Sequence, residues 1–242
     1  MVIDRIKERL GMQEKLAVAI DVGCGNGLST VPLGSIAERV FGIDPSQALL
    51  DLAIQASDVT YIFGRAEELP FPDDFAGIVT VSTAFHWFER NRFLGETFRV
   101  LQPGGWLVIY GNQFYADMVE DPRFAAWMNE NYGRLFPTPP KPSEKEPPFD
   151  AEQAKRYGFT FVTQENYQNN VPFSLGALIN YLTTHSNIIA RVEVEGEPID
   201  EVRKHLHDEL RHLFENRKEG TFRFGGAIRY YQSDKEDGTL EV

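Results

Sequence analysis

Three absences narrow what this chain of 242 residues can be. Its one cysteine, Cys24, allows no disulfide within the chain and favours a cytoplasmic location. No apolar run reaches about 18 residues, and residues 1–20 lack a secretory apolar segment, so we expect no membrane association. No basic cluster accompanies the formal net charge of −12, which disfavours a nucleic-acid partner.

The remaining composition is that of an ordinary globular protein, with 42% hydrophobic and 25% charged residues. From residue 16 onward, apolar runs alternate with amphipathic segments, which is typical of a parallel sheet with helical crossovers. We predict seven strands, at residues 16–22, 39–44, 60–63, 76–81, 106–110, 159–171 and 221–231. We predict helices at residues 1–15, 28–38, 46–56, 90–101, 113–136, 150–157, 174–188 and 198–217.

The alternation of strands and helices is interrupted after the fifth predicted strand. Six prolines between residues 137 and 148 predict a stiff loop. We therefore expect one domain over residues 1–242, with a helical and proline-rich insert at 113–156 that caps a substrate pocket.

A glycine-rich turn, Asp21-Val22-Gly23-Cys24-Gly25-Asn26-Gly27, follows the first predicted strand, and Asp44 ends the second. In α/β sheets such a turn lets a nucleoside approach the backbone, and a carboxylate at the next strand end accepts hydrogen bonds from ribose hydroxyls. The alternative is that Asp44 serves as the N-cap of the following helix, and this role is compatible with ribose binding. A dinucleotide site prefers Gly-x-Gly-x-x-Gly, whereas this spacing and the leading Asp21 suit a cationic ligand such as S-adenosylmethionine (SAM).

At these residues the chain resembles the class I SAM-dependent methyltransferases, and among them the methyltransferase type 11 domains. The resemblance covers roughly residues 16–112 and includes Gly42-Ile43-Asp44-Pro45-Ser46, Gly64 to Asp73, and Leu101-Gln102-Pro103-Gly104-Gly105. It implies a Rossmann-like sheet of seven mostly parallel strands, the last antiparallel, with helices on both faces. It also implies SAM as cofactor, with these binding residues: Asp21, Gly23, Cys24, Gly25, Gly27, Asp44, Pro45, Ala66, Glu67 and Thr83.

Two further segments resemble the trans-aconitate methyltransferase-like branch, which acts on small molecules. Ala84 to Phe88 is similar to its His-Trp pair after strand 4, and Tyr181 to Ser186 to its Tyr-Leu-x-Thr-Trp-Ser motif, with His185 in place of Trp. The family usually carries a longer N-terminal lid, so we expect the lid to come from 113–148 or the pocket to be more open. The resemblance implies these substrate-pocket residues: His86, Trp87, Asn112, Tyr115 and Tyr181.

Methyl transfer from a sulfonium needs alignment and exclusion of water, and needs a base only if the nucleophile keeps its proton. His86 is the candidate base, because it follows strand 4 at the carboxyl edge where ligands bind. The alternative is that His86 and Trp87 only line the pocket. A carboxylate acceptor needs no base.

Three other groups of residues have both a structural and a functional interpretation. Cys24 at a helix start is a possible nucleophile, but a small residue filling a tight turn is favoured. A solvated face is favoured over a metal site for His205, Glu209 and His212, so no metal is expected. An aromatic group suits a lid or ordinary packing equally well: Phe114, Tyr115, Trp127 and Tyr132.

The sequence therefore predicts a SAM-dependent methyltransferase with a small-molecule acceptor, oxygen being favoured as the receiving atom. The rivals are an NAD-dependent oxidoreductase and a non-catalytic SAM-binding module. The oligomeric state is unknown from the sequence.

Overall fold

The computed structural model describes residues 2–137, 149–193 and 195–236. The proline-rich loop predicted at 137–148 lies outside these residues except for Pro137. The chain divides into two compact units. The first takes in residues 1–112, 142–166 and 227–242, and the second residues 113–141 and 167–226.

Eight strands are present among the described residues, one more than predicted: β1 Leu16–Val22, β2 Ala37–Asp44, β3 Val59–Phe63, β4 Ala76–Ser82, β5 Leu101–Tyr110, β6 Gln113–Met118, β7 Phe159–Phe173 and β8 Gly220–Ser233. The α-helices are α1 Val2–Arg9, α2 Gln47–Leu50, α3 Arg90–Val100, α4 Arg123–Trp127, α5 Gly133–Leu135, α6 Ala151–Arg156, α7 Leu175–Leu182, α8 Ser186–Glu193 and α9 Ile199–Leu210.

In the first unit the strand order is β3-β2-β1-β4-β5, with all neighbours parallel. Tyr110 to Trp106 of β5 then pair antiparallel with Ile228 to Gln232 of β8. The predicted mostly parallel sheet with an antiparallel last strand is therefore confirmed. Pairing between β4 and β5 shifts register between Ala76 and Ile78, opposite the segment that contains Pro103-Gly104-Gly105.

The first unit's core lies along its central strands, where Ile20, Val79 and Leu107 are fully buried. Near-continuous apolar strands such as β4, with six buried residues in seven, are expected where both faces of a parallel sheet are covered. The parallel strands β1, β2 and β4 bring their carboxyl ends, and the turns that follow them, to one edge. That edge carries the residues predicted to bind the cofactor.

The two helices predicted after β1 and β2 are much shorter than expected. Residues 28–38 contain only a 3₁₀-helix, Val31–Ser35, because Pro32 lacks the amide hydrogen that the interior of an α-helix over 28–38 needs. After β2, helix α2 ends at Leu50. Ile54, within the predicted helix, uses its backbone in hydrogen bonds outside a helix. Its amide donates to Asn26 O at 3.0 Å, and its carbonyl accepts from Tyr61 Oη at 2.7 Å.

The second unit corrects the prediction of one helix at 113–136. Residues 113–118 form β6, the extra strand, which pairs with β8 at Phe114–Phe224 and Met118–Phe222. The register shifts between these pairs, and Ala116 has a φ of 55°. This bulge hides the alternation of a strand and leaves apolar residues four apart, which is the spacing of a helix.

The rest of the second unit is helical around an aromatic core. Fully buried residues from α7, α9 and β8 meet in one cluster, among them Leu178, Leu206 and Phe222. The single helix predicted at 174–188 is two helices, α7 and α8. Between them the hydroxyls of Thr183 and Thr184 donate to the carbonyls of Asn180 and Tyr181, which competes with helical bonding.

No helix in the described part of the chain has both the length and the apolar character needed to cross a membrane.

Candidate functional site

The glycine turn after β1 has a backbone that only glycine adopts readily. Gly23, Gly25 and Gly27 have φ values of 73°, 54° and 86°. A Cβ added to Gly23 would clash with Ala84, and a Cβ added to Gly27 would clash with the Tyr61 ring. The nearest atom to a Cβ added to Gly25 is Leu49 Cδ1, at 4.0 Å. Gly25 is therefore the glycine of this turn that faces open space, where a ligand can approach the backbone.

Asp21, at the end of β1, is completely buried. Its Oδ2 accepts hydrogen bonds from Ser29 Oγ at 2.7 Å and Thr30 Oγ1 at 2.8 Å, and its Oδ1 accepts from Thr80 Oγ1 at 2.8 Å. Burial raises the pKa of Asp21 above its ordinary value, although the three hydroxyl bonds oppose the rise. This arrangement ties β1, β4 and the segment after the turn together; direct contact of Asp21 with SAM stays a prediction.

Asp44, at the end of β2, joins the two turns of the site. Its Oδ2 accepts the amide of Gly25 at 2.8 Å, and its Oδ1 accepts the amide of Ser46 at 2.9 Å. The N-cap of α2 is Ser46, whose hydroxyl accepts a hydrogen bond from the Leu49 amide. The alternative prediction that Asp44 is the N-cap residue is therefore wrong. A carboxylate has about four acceptor positions, so a ribose diol can still bind beside these two amides.

Cys24 is buried inside the turn, and its thiol donates to the carbonyl of Gly25 at 3.7 Å. Burial raises the pKa of Cys24 to about 12, and the carboxylates of Asp21 and Asp44 act in the same direction. A thiol with so high a pKa is a poor nucleophile at neutral pH. The geometry supports the favoured interpretation, a small residue that fills a tight turn.

Thr83 follows β4 at the same edge of the sheet and has a φ of 58°. This is an unusual conformation for a β-branched residue, and such strain concentrates at ligand-binding positions. The Thr83 amide donates to Tyr110 O at 2.9 Å, which holds the strained residue in place while the side chain stays exposed. Thr83 was predicted to bind the cofactor, and its strain supports that proposal.

Three further residues predicted to bind the cofactor lie after β3 and β2. Ala66 is buried, and Glu67 Oε1 accepts the Glu89 amide at 2.8 Å, so Glu67 links this segment to the start of α3. Pro45 is exposed directly after Asp44. Contact of these three residues with SAM stays a prediction.

The predicted substrate-pocket residues fall in both compact units. His86 and Trp87 lie in a 3₁₀-helix, Phe85–Trp87, of the first unit, with ring centroids 5.0 Å apart, and Asn112 is exposed in the same unit. Tyr115 and Tyr181 belong to the second unit, where Tyr115 is exposed and Tyr181 is partly buried. A shared pocket therefore stays a prediction.

The two remaining groups have structural partners. Glu209 accepts the indole N–H of Trp127 at 3.0 Å, and no group of three or more potential metal-ligating side chains occurs in residues 2–137, 149–193 and 195–236. Trp127 and Tyr132 are buried in the second core, which favours packing over a lid for these two residues.

Sequence reasoning missed the residues that support the turn. Ser29, Thr30 and Thr80 bind Asp21, and the Tyr61 ring closes against Gly27 and Gly42. Thr80 was detectable as the one hydroxyl inside the apolar run 76–81. Tyr61 carried no comparable signal, because its contact depends on the pairing of β2 with β3.

Residues 20–109 match the family model described as "Methyltransferase domain". O-methyltransferase resE of Aspergillus sclerotiorum is 32% identical over 166 residues, which are 63% of this chain and 58% of that protein. Malonyl-[acyl-carrier protein] O-methyltransferase of Yersinia pestis is 34% identical over 101 residues, which are 40% of this chain and 37% of that protein. The matched stretches thus span less than two thirds of each of these curated relatives.

Solved structures share the fold over most of the chain. A structure described as a type II methyltransferase of Anaeromyxobacter dehalogenans has a TM-score of 0.64 and 23% identity, covering 88% of each chain. The [4+2]-cyclase SpnF has a TM-score of 0.58 and 18% identity, covering 97% of this chain and 81% of that one.

The sheet order, the glycine turn and the strand-end carboxylate define a class I SAM-dependent methyltransferase fold. The match of residues 20–109 to the methyltransferase family model agrees with this fold, whose cofactor is SAM. The residues fit this cofactor, because Gly25 leaves space over the turn and Asp44 keeps acceptor positions for a ribose.

Proposed function

We propose that the protein transfers a methyl group from SAM to a small-molecule acceptor, and that the receiving atom is oxygen. The observation that carries the proposal is the turn in which Asp44 binds the amide of Gly25 while the space over Gly25 stays open. The O-methyltransferase names of two relatives support oxygen as the receiving atom. The acidic chain, with a net charge of −12, favours a small molecule over nucleic acid and is compatible with a cytoplasmic location.

SAM supplies a methyl group already activated on a sulfonium, so the new carbon–oxygen bond forms as the carbon–sulfur bond breaks and a neutral thioether leaves. The chain's contribution is to hold the ribose through Asp44, while Thr83 follows β4 at the same edge of the sheet. His86 takes the proton of a neutral hydroxyl acceptor, and for a carboxylate acceptor it only lines the pocket. The remaining pocket residues are Trp87, Asn112, Tyr115 and Tyr181, with residues 113–156 as the cap.

The test is a screen of pooled metabolites with methyl-labelled SAM. We expect label in a small, organic-extractable product, and we expect His86→Gln to lower kcat for hydroxyl acceptors more than for carboxylate acceptors. Control reactions use Asp44→Ala, which is expected to lose turnover at limiting SAM. Label transfer to protein or nucleic acid only, or no transfer despite tight SAM binding, contradicts the proposal; the second result favours a non-catalytic SAM-binding module.

A further inference from the structure

The first half of the glycine turn is held by the end of β2. The amides of Gly23 and Cys24 donate to Ile43 O at 2.8 and 3.1 Å. The amide of Gly25 donates to Asp44 Oδ2 at 2.8 Å. These three bonds end on the strand that carries Asp44, so β2 positions this half of the turn directly.

The second half of the turn, Asn26 and Gly27, has contacts with β3 and with the segment after α2. The Ile54 amide donates to Asn26 O at 3.0 Å, and the Tyr61 hydroxyl donates to Ile54 O at 2.7 Å. The Tyr61 ring also lies directly against Gly27, where an added Cβ would clash with it. Tyr61 therefore contacts this half of the turn twice, once by packing and once through the backbone of Ile54.

The position of Tyr61 is fixed by strand pairing. Tyr61 is the register partner of Gly42, and Phe63, two residues further along β3, is the partner of Asp44. A Cβ built on Gly42 would lie 2.8 Å from Tyr61 Cδ1 and 3.0 Å from Cys24 Sγ, so the ring and the thiol pack together over this glycine. The ring lies against bare backbone rather than adaptable side chains, which gives its hydroxyl a defined position.

The Tyr61 hydroxyl keeps its hydrogen at neutral pH. Burial raises the pKa of Tyr61 above its ordinary value, and the nearby Cys24 and Asp21 groups act in the same direction. The carbonyl oxygen of Ile54 can only accept, so the hydroxyl is the donor of this bond.

We propose that Tyr61 is a positioning residue for SAM binding, whose hydroxyl acts through Ile54 to hold the Asn26 end of the glycine turn. The inference rests on the proposed function, in which SAM lies over Gly25. Tyr61 acts through two successive hydrogen bonds, from Tyr61 to Ile54 and from Ile54 to Asn26. A site that is already held in its bound conformation binds more tightly, because less ordering is needed on binding.

Calorimetric titration of SAM into wild type and Tyr61→Phe tests the proposal. Tyr61→Phe keeps the ring and removes the bond to Ile54 O, so we expect SAM to bind about fivefold more weakly, the effect of one net hydrogen bond.

The matched control is Tyr157→Phe, which removes a tyrosine hydroxyl bonded to Asn91 at the end of α6 in the same unit. Its SAM affinity is expected to stay within about twofold of wild type. Denaturant unfolding of both variants measures stability separately. If folded Tyr61→Phe loses stability but binds SAM as tightly as wild type, the role of Tyr61 is only structural and the proposal is overturned.

A second substitution tests the route through Ile54. Ile54→Pro removes the amide that donates to Asn26 O, so we expect weaker SAM binding in this variant as well. In the Ile54→Pro background, Tyr61→Phe is expected to add little, because the bond to Asn26 is already lost. Fully additive effects of the two substitutions contradict the proposed route.

Two further outcomes are distinguishable. If Ile54→Pro does not fold, the comparison of Tyr61→Phe with Tyr157→Phe decides alone. A wild type that does not bind SAM refutes the proposed function, whereas equal SAM affinity in wild type and Tyr61→Phe refutes only the role of Tyr61.

Discussion

In the first unit, the polar groups of the candidate site bind partners close to the glycine turn, whereas in the second unit a histidine and a tyrosine 53 residues apart meet inside an aromatic cluster. Asp21 and Asp44 bind hydroxyls and amides that belong mostly to the turns following β1 and β2. His185 and Tyr132, which share a hydrogen bond of 2.9 Å, are brought together by the packing of α7, α8 and the π-helical turn Met128–Tyr132.

The two units therefore differ in how their buried polar groups are held. A rigid set of backbone amides and carboxylates suits one unvarying ligand, here the cofactor. The hydrogen-bonded pair of the second unit instead lies within an aromatic core, where it links α7 and α8 to the π-helical turn. Substitutions in each unit test this difference.

The largest expected effect is from Asp21→Ala, which leaves three hydroxyl donors of the first unit without their acceptor. An unsatisfied buried polar group costs about 1–3 kcal/mol, so we expect a loss of several kcal/mol in the free energy of unfolding. Denaturant unfolding measures it, with the exposed Asp51→Ala as control, expected to be within about 0.5 kcal/mol of wild type. A loss below about 1 kcal/mol would show that Asp21 does not hold the turn.

Acid is expected to destabilise the second unit through His185. Burial lowers the pKa of His185 from 6.5 to about 4 on folding, so between these values the unfolded chain binds more protons than the folded one. The contribution of neutral His185 to the free energy of unfolding is therefore complete above pH 6.5. It decreases as the pH falls toward 4, by up to about 3 kcal/mol. His185→Phe is expected to lose this pH dependence, and His205→Gln, at an exposed position, to keep it; equal slopes in both variants contradict the account.

Two glycines of the turn are expected to separate stability from binding. Gly27→Ala forces Tyr61 aside at a φ of 86°, so we expect the larger loss of stability there. Gly25→Ala meets no close atom, and its methyl group occupies the open space, so the larger loss of SAM affinity is expected there. Thermal unfolding and SAM titration of both variants check this, and Gly27→Ala/Tyr61→Ala is expected to regain part of the stability. Identical behaviour of the two single variants refutes the separation.

The smallest effect is expected at Thr83. Thr83→Gly relieves the strain of a φ of 58° and is expected to raise the free energy of unfolding by about 1 kcal/mol. Thr83→Ala removes the hydroxyl but keeps the strain, so it isolates the side-chain contact. We expect both variants to weaken SAM binding and only the glycine variant to gain stability. No gain in stability for Thr83→Gly shows that the backbone there is relaxed.

Much of the first unit could be predicted from the sequence, because its signals are local. The strands at 16–22 and 76–81, the glycine turn and Asp44 follow from apolar runs and residue types at fixed spacing. The lengths of the helices after β1 and β2 could not, since Pro32 and the tertiary bonds of Ile54 override the helical pattern.

The second unit was less predictable for a physical reason. The bulge at Ala116 removes the alternation by which β6 is recognised. Tyr132 and His185 meet through packing that no local pattern encodes, and of the rings around His185 only Tyr181 was predicted to bind substrate.

Calorimetric titration with SAM and NAD, on wild type and Asp44→Ala, tests whether the glycine turn and Asp44 form a SAM site. The wild type is expected to bind SAM and not NAD. Asp44→Ala is expected to bind SAM about tenfold or more weakly, since a charge-assisted hydrogen bond contributes about 1.5–3 kcal/mol. Binding of NAD without SAM, or unchanged SAM affinity in a folded Asp44→Ala variant, contradicts the account.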